Sequence, residues 1–262
     1  MNNYRTAAAL RYFLCSGHRK GHGIHSPFAY DFISNVMLKD MPEERKAAVK
    51  YVRKRMEGSK TVITVNDLGA GSGTLSASRR CLCHIARRSS VHPRYGKILH
   101  NLASASDGKD ILEMGTSLGI STLYLAMGAP SSKIVSIEGC QELSAIAEDN
   151  FSRAKVKNVE VLTGDFDKVL PELKRDGFRP SLVFVDGNHI KEAVLRYFTL
   201  LKELITANSV IIFDDINYSF EMNEAWKEIK SDLQVSLTID IFQMGLVFFR
   251  KGMAKQDLVI RY

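Results

Sequence analysis

From residue 110 onward, short apolar runs alternate with longer amphipathic stretches, and no other feature of the chain constrains its fold so strongly. Runs of about five apolar residues have the length of buried strands, and the stretches between them have the length of crossover helices. Strands are expected over 110–114, 133–138, 159–163, 181–186 and 209–214, with helices between them such as 121–127 and 141–154. Strands joined through helices run parallel, so this region reads as α/β with a mostly parallel sheet. A helix over 222–231 then leads to two β-rich runs, 235–242 and 246–250, separated only by a Gln-Met-Gly turn. That turn is too short for a crossover, so these last two strands must be antiparallel.

The 262 residues are 45% hydrophobic and 25% charged, which is enough for a real core and argues against disorder. No run approaches the roughly 18 uninterrupted apolar residues of a membrane span, and the N-terminus has no signal-type cleavage region, so a soluble cytoplasmic protein is expected. The four cysteines, Cys15, Cys81, Cys83 and Cys140, are expected to stay reduced, Cys81 and Cys83 being too close in sequence for an ordinary disulfide. Charge is unevenly spread. Residues 1–100 hold 18 Lys and Arg against 6 Asp and Glu, whereas residues 101–262 hold 18 against 23. The chain therefore divides into a basic, mainly helical N-terminal region, 1–92, and a mildly acidic domain, 93–262, with the basic run 46–60 read as a solvated helix face.

Two glycine-rich segments compete for a nucleotide-like cofactor. The first, Asp67-Leu-Gly-Ala-Gly-Ser-Gly73, has more glycines, but the basic stretch after it supplies neither a second strand nor a terminal acid. The second lies in Ile111-Leu-Glu-Met-Gly-Thr-Ser-Leu-Gly-Ile-Ser-Thr122, where a strand delivers the turn and a helix follows it. Glu138 ends the next strand, 25 residues after Glu113, where its carboxylate can accept from both hydroxyls of a ribose. The second segment is therefore the expected cofactor turn, and the first a connector or a flap beside the site.

Ligands of doubly wound sheets sit beyond the carboxyl ends of the strands. Here those ends carry Gly164-Asp165-Phe166, Asp186-Gly187-Asn188-His189 and Asp214-Asp215. Three converging carboxylates repel one another unless a cation or proton intervenes, and an all-oxygen set suits Mg²⁺ or a similar divalent ion. Asp186, Asp214 and Asp215 are thus candidate metal ligands. His189, the only histidine beyond residue 100, is the candidate general base, with Asp186 as its catalytic partner.

Five parallel-type strands closed by an antiparallel hairpin, together with these residues, resemble the class I S-adenosylmethionine-dependent methyltransferases. Within them the sequence is similar to the catechol and caffeoyl-CoA O-methyltransferase-like branch over residues 93–250. The resemblance implies a Rossmann-like seven-stranded sheet, in which Pro93-Arg-Tyr-Gly96-Lys-Ile-Leu matches the short helix before the first strand. It also implies cofactor contacts from Glu113, Gly115, Thr116, Ser117, Gly119 and Ser121, then from Glu138, Gly139, Gly164, Asp165 and Asp186. Asp186, Asp214 and Asp215 fall where that branch places its metal ligands, although Asp215 stands for the usual asparagine and His189 for a lysine. The block Gly21-His-Gly-Ile-His-Ser-Pro-Phe28 resembles the opening of a group of bacterial methyltransferase-type proteins with no assigned substrate.

The implied activity is O-methylation of a hydroxylated small molecule by S-adenosyl-L-methionine, assisted by a divalent cation. Two other readings stand behind it: a methyltransferase for RNA or another nucleic acid that docks through the basic N-terminal region, and a cofactor-binding scaffold without catalysis. The N-terminal helices are candidates for covering the acceptor pocket or for a homodimer contact.

Overall fold

The protein is described here from a computed structural model covering residues 3–17, 23–66, 77–106 and 108–262. The glycine-rich segment 67–73 and positions 21 and 22 of the glycine-histidine block lie outside the described residues.

The N-terminal part is helical: α1 (Asn3–Cys15), α2 (Pro27–Asp31) running into a π-helical turn over Phe32–Met37, and α3 (Glu43–Gly58). Ser26 caps α2 by accepting from the Ala29 amide, with Pro27 in the first turn where its missing N–H costs nothing. A strand does follow the 67–73 segment, contrary to expectation. β1 (Val62–Asn66) and β2 (Ala77–Cys81) pair antiparallel in a separate two-stranded sheet, so this segment is not flanked by the parallel strands of a cofactor turn. β2 leads into α4 (Leu82–Arg88), and this strand-to-helix bend brings the Cα atoms of Cys81 and Cys83 to 5.3 Å and joins their sulfurs in a disulfide. The expectation that these thiols stay reduced is corrected here: a direct bend, not sequence distance, decides whether a Cys-x-Cys pair can meet.

The rest is α5 (Pro93–Ser104), β3 (Ile111–Met114), α6 (Ile120–Gly128), β4 (Ile134–Glu138), α7 (Gln141–Arg153), β5 (Val159–Thr163), α8 (Phe166–Arg175), β6 (Leu182–Val185), α9 (Lys191–Lys202), β7 (Val210–Phe213), α10 (Phe220–Ser231), β8 (Leu237–Asp240), β9 (Gly245–Phe248) and β10 (Gln256–Val259). The sheet order is β10-β8-β9-β7-β6-β3-β4-β5. The strands from β3 to β7 pair in parallel, and β9 inserts antiparallel between β7 and β8. This is the expected seven-strand layout with its closing hairpin. An eighth strand, β10, is added along the edge, parallel to β8.

Successive residues of the central strands feed opposite cores, as the two-residue period of a strand requires. Ile111, Ile134, Phe184 and Ile212 pack beneath α3, α5 and α6, while Leu112, Val135, Val183 and Ile211 pack against α8, α9 and α10. The described N-terminal helices contribute Ile33, Val49 and Val52 to the first of these cores. Among the described residues no helix is long and apolar enough to cross a membrane. The strand order reverses between β3 and β6, and there the chain leaving β3 and the chain leaving β6 open a crevice.

Candidate active site

The turn after β3 is built by two glycines in left-handed backbone. Gly115 has φ +106°, and a Cβ there would stand 2.0 Å from the Asp186 carbonyl oxygen, so only glycine lets the ends of β3 and β6 lie this close. Gly119, at φ +75°, opens α6, with Phe151 filling the space a side chain would need. Between them Ser117 is held at φ +48°, a conformation a non-glycine residue keeps only when its surroundings impose it. Here the imposing group is Glu138 at the end of β4, which accepts from the Ser117 amide at 2.7 Å through one oxygen and from the Cys140 amide at 2.9 Å through the other.

A cavity of about 420 Å³ lies above this turn. Of the eleven expected cofactor contacts, Gly115, Ser117, Glu138, Gly139, Gly164, Asp165 and Asp186 line it. The other four stand behind the cavity wall. Thr116 and Ser121 are buried, and Gly119 caps α6. Glu113 is wholly buried, with one carboxylate oxygen accepting from the hydroxyls of Thr122 and Ser136 and the other without a partner among the described residues. Burial pushes its carboxyl up to about 7 against the pull of these hydroxyls. Asp165 caps α8 by accepting from the Asp167 amide, so its carboxylate is already engaged while it faces the cavity.

At the other end of the cavity stand Asp186 and His189, with Nε2 of the imidazole 3.5 Å from Oδ1 of Asp186 and 4.0 Å from Oδ2 of Asp215. Burial pulls this imidazole down from its ordinary 6.5, but the contact with Asp186 and the charges of Asp186, Asp215 and Asp214 outweigh it and push it up to about 9. The surrounding carboxylates thus favour the protonated form of His189. Asp214 is held well above the usual carboxylate range by burial and by its two acidic neighbours.

Residues 112–216 match the sequence model of a family described as a methyltransferase domain. A catechol O-methyltransferase from Niastella koreensis is 32% identical over 130 residues, covering 48% of this chain and 58% of that protein. The catechol O-methyltransferase of Mycobacterium tuberculosis is 35% identical over 131 residues, covering 49% and 58%. Over about half of its length the chain is thus similar to catechol O-methyltransferases, and part of it matches the methyltransferase-domain model. It spans 58% of the length of each of these two relatives. The solved structure of an O-methyltransferase from Bacillus cereus in complex with SAH shares the fold, with a TM-score of 0.55 at 21% identity over 83% of this chain and 96% of that one.

Within the matched region the three aspartates depart from the expected metal site. Asp214 and Asp215 do not line the cavity, and their oxygens take protein donors. The Gln243 amide donates to Asp215 at 2.5 Å and to Asp214 at 3.2 Å, while its own carbonyl accepts from Arg5 of α1 at 2.7 Å. Arg5 also stands 3.7 Å from Asp215. Among the described residues no three histidine, cysteine or acidic side chains are placed to hold one ion. As the side chains stand, Asp214 and Asp215 turn an oxygen each to the Gln243 amide, Asp215 also faces Arg5, and Asp186 faces His189, so the three carboxylates meet protein partners and not one shared ion. The next helix, α10, is capped by Ser219, which accepts from the Met222 amide, and not by either aspartate.

Sequence reasoning missed Arg5 and Gln243, which meet across 238 positions, and Val65, Arg80, Ile85 and Ser89, which bring the N-terminal region to the cavity wall. No local pattern marks such contacts. Asn188 and Tyr197 were also missed. Asn188 lies at φ +51° and donates to the Tyr197 hydroxyl at 3.1 Å, a strained residue at a strand end and so a signal visible only in the backbone.

Proposed function

We propose that this protein is an O-methyltransferase that moves the methyl group of S-adenosylmethionine to a hydroxylated small molecule, with residues 93–262 carrying the reaction and residues 1–92 walling one side of its pocket. The observation that carries this reading is the coupling of Glu138 to the Ser117 amide, which joins the Gly115–Gly119 turn and the ribose-type acid into one preformed cradle. A cavity of about 420 Å³ suits a ligand of that size.

When bound, S-adenosylmethionine supplies an electrophilic methyl group on a sulfonium. The chain's own residues do the rest. Glu138 takes the ribose hydroxyls, Gly139 and Gly164 leave room for the nucleoside, and Gly115 and Asp186 border the methionine end. The acceptor hydroxyl enters beside Asp186 and His189, which orient its oxygen toward the methyl carbon and receive its proton as the new C–O bond forms and the C–S bond breaks. Assay with methyl-labelled donor against catechols and other hydroxylated compounds is expected to give label in the acceptor. Donor binding without transfer to any hydroxylated compound would defeat the acceptor assignment.

The imidazole must shed its proton before it can accept another. With His189 pushed up to about 9, kcat/KM is expected to climb through an alkaline midpoint, not one near 6.5, and His189→Asn to remove that limb. A wild-type limb centred near 6.5, or one that survives in His189→Asn, speaks against the base.

No step here is routed through the divalent ion suggested by Asp186, Asp214 and Asp215, because Gln243 donates to two of them and Arg5 and His189 stand beside them as the cationic partners. Turnover is expected to persist in EDTA. Its loss in chelator, with restoration by Mg²⁺, would return the ion to the site.

A further inference from the structure

The basic run on α3 is solvated as expected, with Lys50 and Lys54 exposed, and it also borders a concavity. Lys46, Lys50, Arg53, Lys54 and Glu57 follow one another at helical spacing along a single face, and that face walls a second cavity of about 860 Å³. Its other side is formed by Arg94 and Lys97 of α5 and by the C-terminal Arg261 and Tyr262, and its floor includes Met41 and Tyr124. Seven basic side chains line this cavity against two acidic ones, and it shares no lining residue with the cavity above Gly115.

Several of these cations are already engaged. Lys46 pairs with Glu43 at 2.6 Å, Lys97 with Asp40 at 3.4 Å, Arg53 donates to the Val91 carbonyl, and Arg94 lies 4.7 Å over the Tyr262 ring. Lys50 and Lys54, one helical turn apart, have no acceptor among the described residues. Like charges held together in a concavity concentrate positive potential and call for a ligand of high negative charge density.

We infer that this cavity binds a small molecule carrying a chain of phosphates, taken up by Lys50 and Lys54 with support from Arg94 and Lys97. The cations converge on one concavity from α3, α5 and Arg261, which favours a compact polyphosphate over the backbone of a long nucleic acid, whose phosphates would need cations spread along its length. Tyr262, with Arg94 on one face, offers an aromatic surface if the phosphates belong to a nucleotide. The inference does not depend on the methyltransferase reading, because the two cavities are separate.

Calorimetry on the full chain at low salt, with inorganic tripolyphosphate and uridine triphosphate as probes, tests it. Neither probe carries the adenosine that the first cavity would recognise. Saturable one-to-one binding is expected, weakened about tenfold or more in Lys50→Glu/Lys54→Glu, a loss of about 1.4 kcal/mol or more. Both lysines are exposed, so the thermal midpoint of the double variant should stay within about 2 °C of wild type. Tighter binding of the uridine nucleotide assigns the natural ligand as a nucleotide, and equal binding assigns the phosphate chain alone. Absence of binding for both probes, binding unchanged in the folded double variant, or binding confined to long RNA overturns the inference.

Discussion

Glu138→Ala is expected to weaken S-adenosylmethionine binding by about 100-fold or more. Two hydroxyls accepted by one carboxylate are charge-assisted hydrogen bonds, each contributing roughly 1.5 kcal/mol or more, and about 3 kcal/mol corresponds to about two decades in Kd. The substitution has a second effect. It strips the Ser117 and Cys140 amides of their acceptor, so the turn that Glu138 holds at φ +48° loses the group that imposes that backbone. Glu138→Gln separates the two effects, because an amide retains one acceptor oxygen but presents N–H groups toward an amide donor. It should bind more weakly than wild type and more tightly than Glu138→Ala. Calorimetry gives the affinities and thermal melting shows that each variant is folded.

Gly115→Ala carries the second large effect, and it falls on stability as well as on binding. An L-residue at φ +106° is strained whatever its surroundings, and here the new methyl would meet the Asp186 carbonyl at 2.0 Å, so the end of β3 or of β6 must move. Backbone strain of this kind costs about 1 to 3 kcal/mol before the displacement is added. At roughly 2 to 4 °C per kcal/mol for a protein of this size, a total near ~3 kcal/mol lowers Tm by about 6 to 12 °C. Gly177→Ala is the control for strain alone. It has φ +74° with nothing within 4 Å of the added atom, and should cost about 1 kcal/mol. Equal losses in the two variants would mean that the close approach of β3 and β6 does not hold the site together.

The sheet was legible because its strands announce themselves locally. Apart from Glu113, the residues of β3, β6 and β7 are apolar on both faces, and the Gln-Met-Gly turn leaves no room for anything but an antiparallel return. Glu138 was legible for the same reason, since a strand end is a position that can be counted from sequence. β10 was not, being a short and half-exposed edge whose only reason to extend is the neighbouring β8. The β1–β2 hairpin escaped notice because the arginines of β2 read as a polar helix or loop until β1 is known to lie beside them.

The acidic cluster divides in an instructive way. Sequence brings Asp186, Asp214 and Asp215 to adjacent strand ends, and the structure agrees, but which side chains face the cavity depends on backbone turns. Asp215 sits at φ +53°, and Gln243 reaches both later aspartates from the hairpin tip. Arg5 completes the arrangement from the other end of the chain. Local patterning can locate charges that need a counter-ion, whereas the identity of that counter-ion is decided by long-range contacts.

The central claim is that the Gly115–Gly119 turn and Glu138 together hold the methyl donor. A crystal soaked with S-adenosylhomocysteine measures this most directly. The account predicts the ribose hydroxyls on the Glu138 carboxylate and the amino-acid end beside Gly115; a ligand seated against residues 67–73, or an empty cavity in crystals that demonstrably bind it elsewhere, would contradict the account.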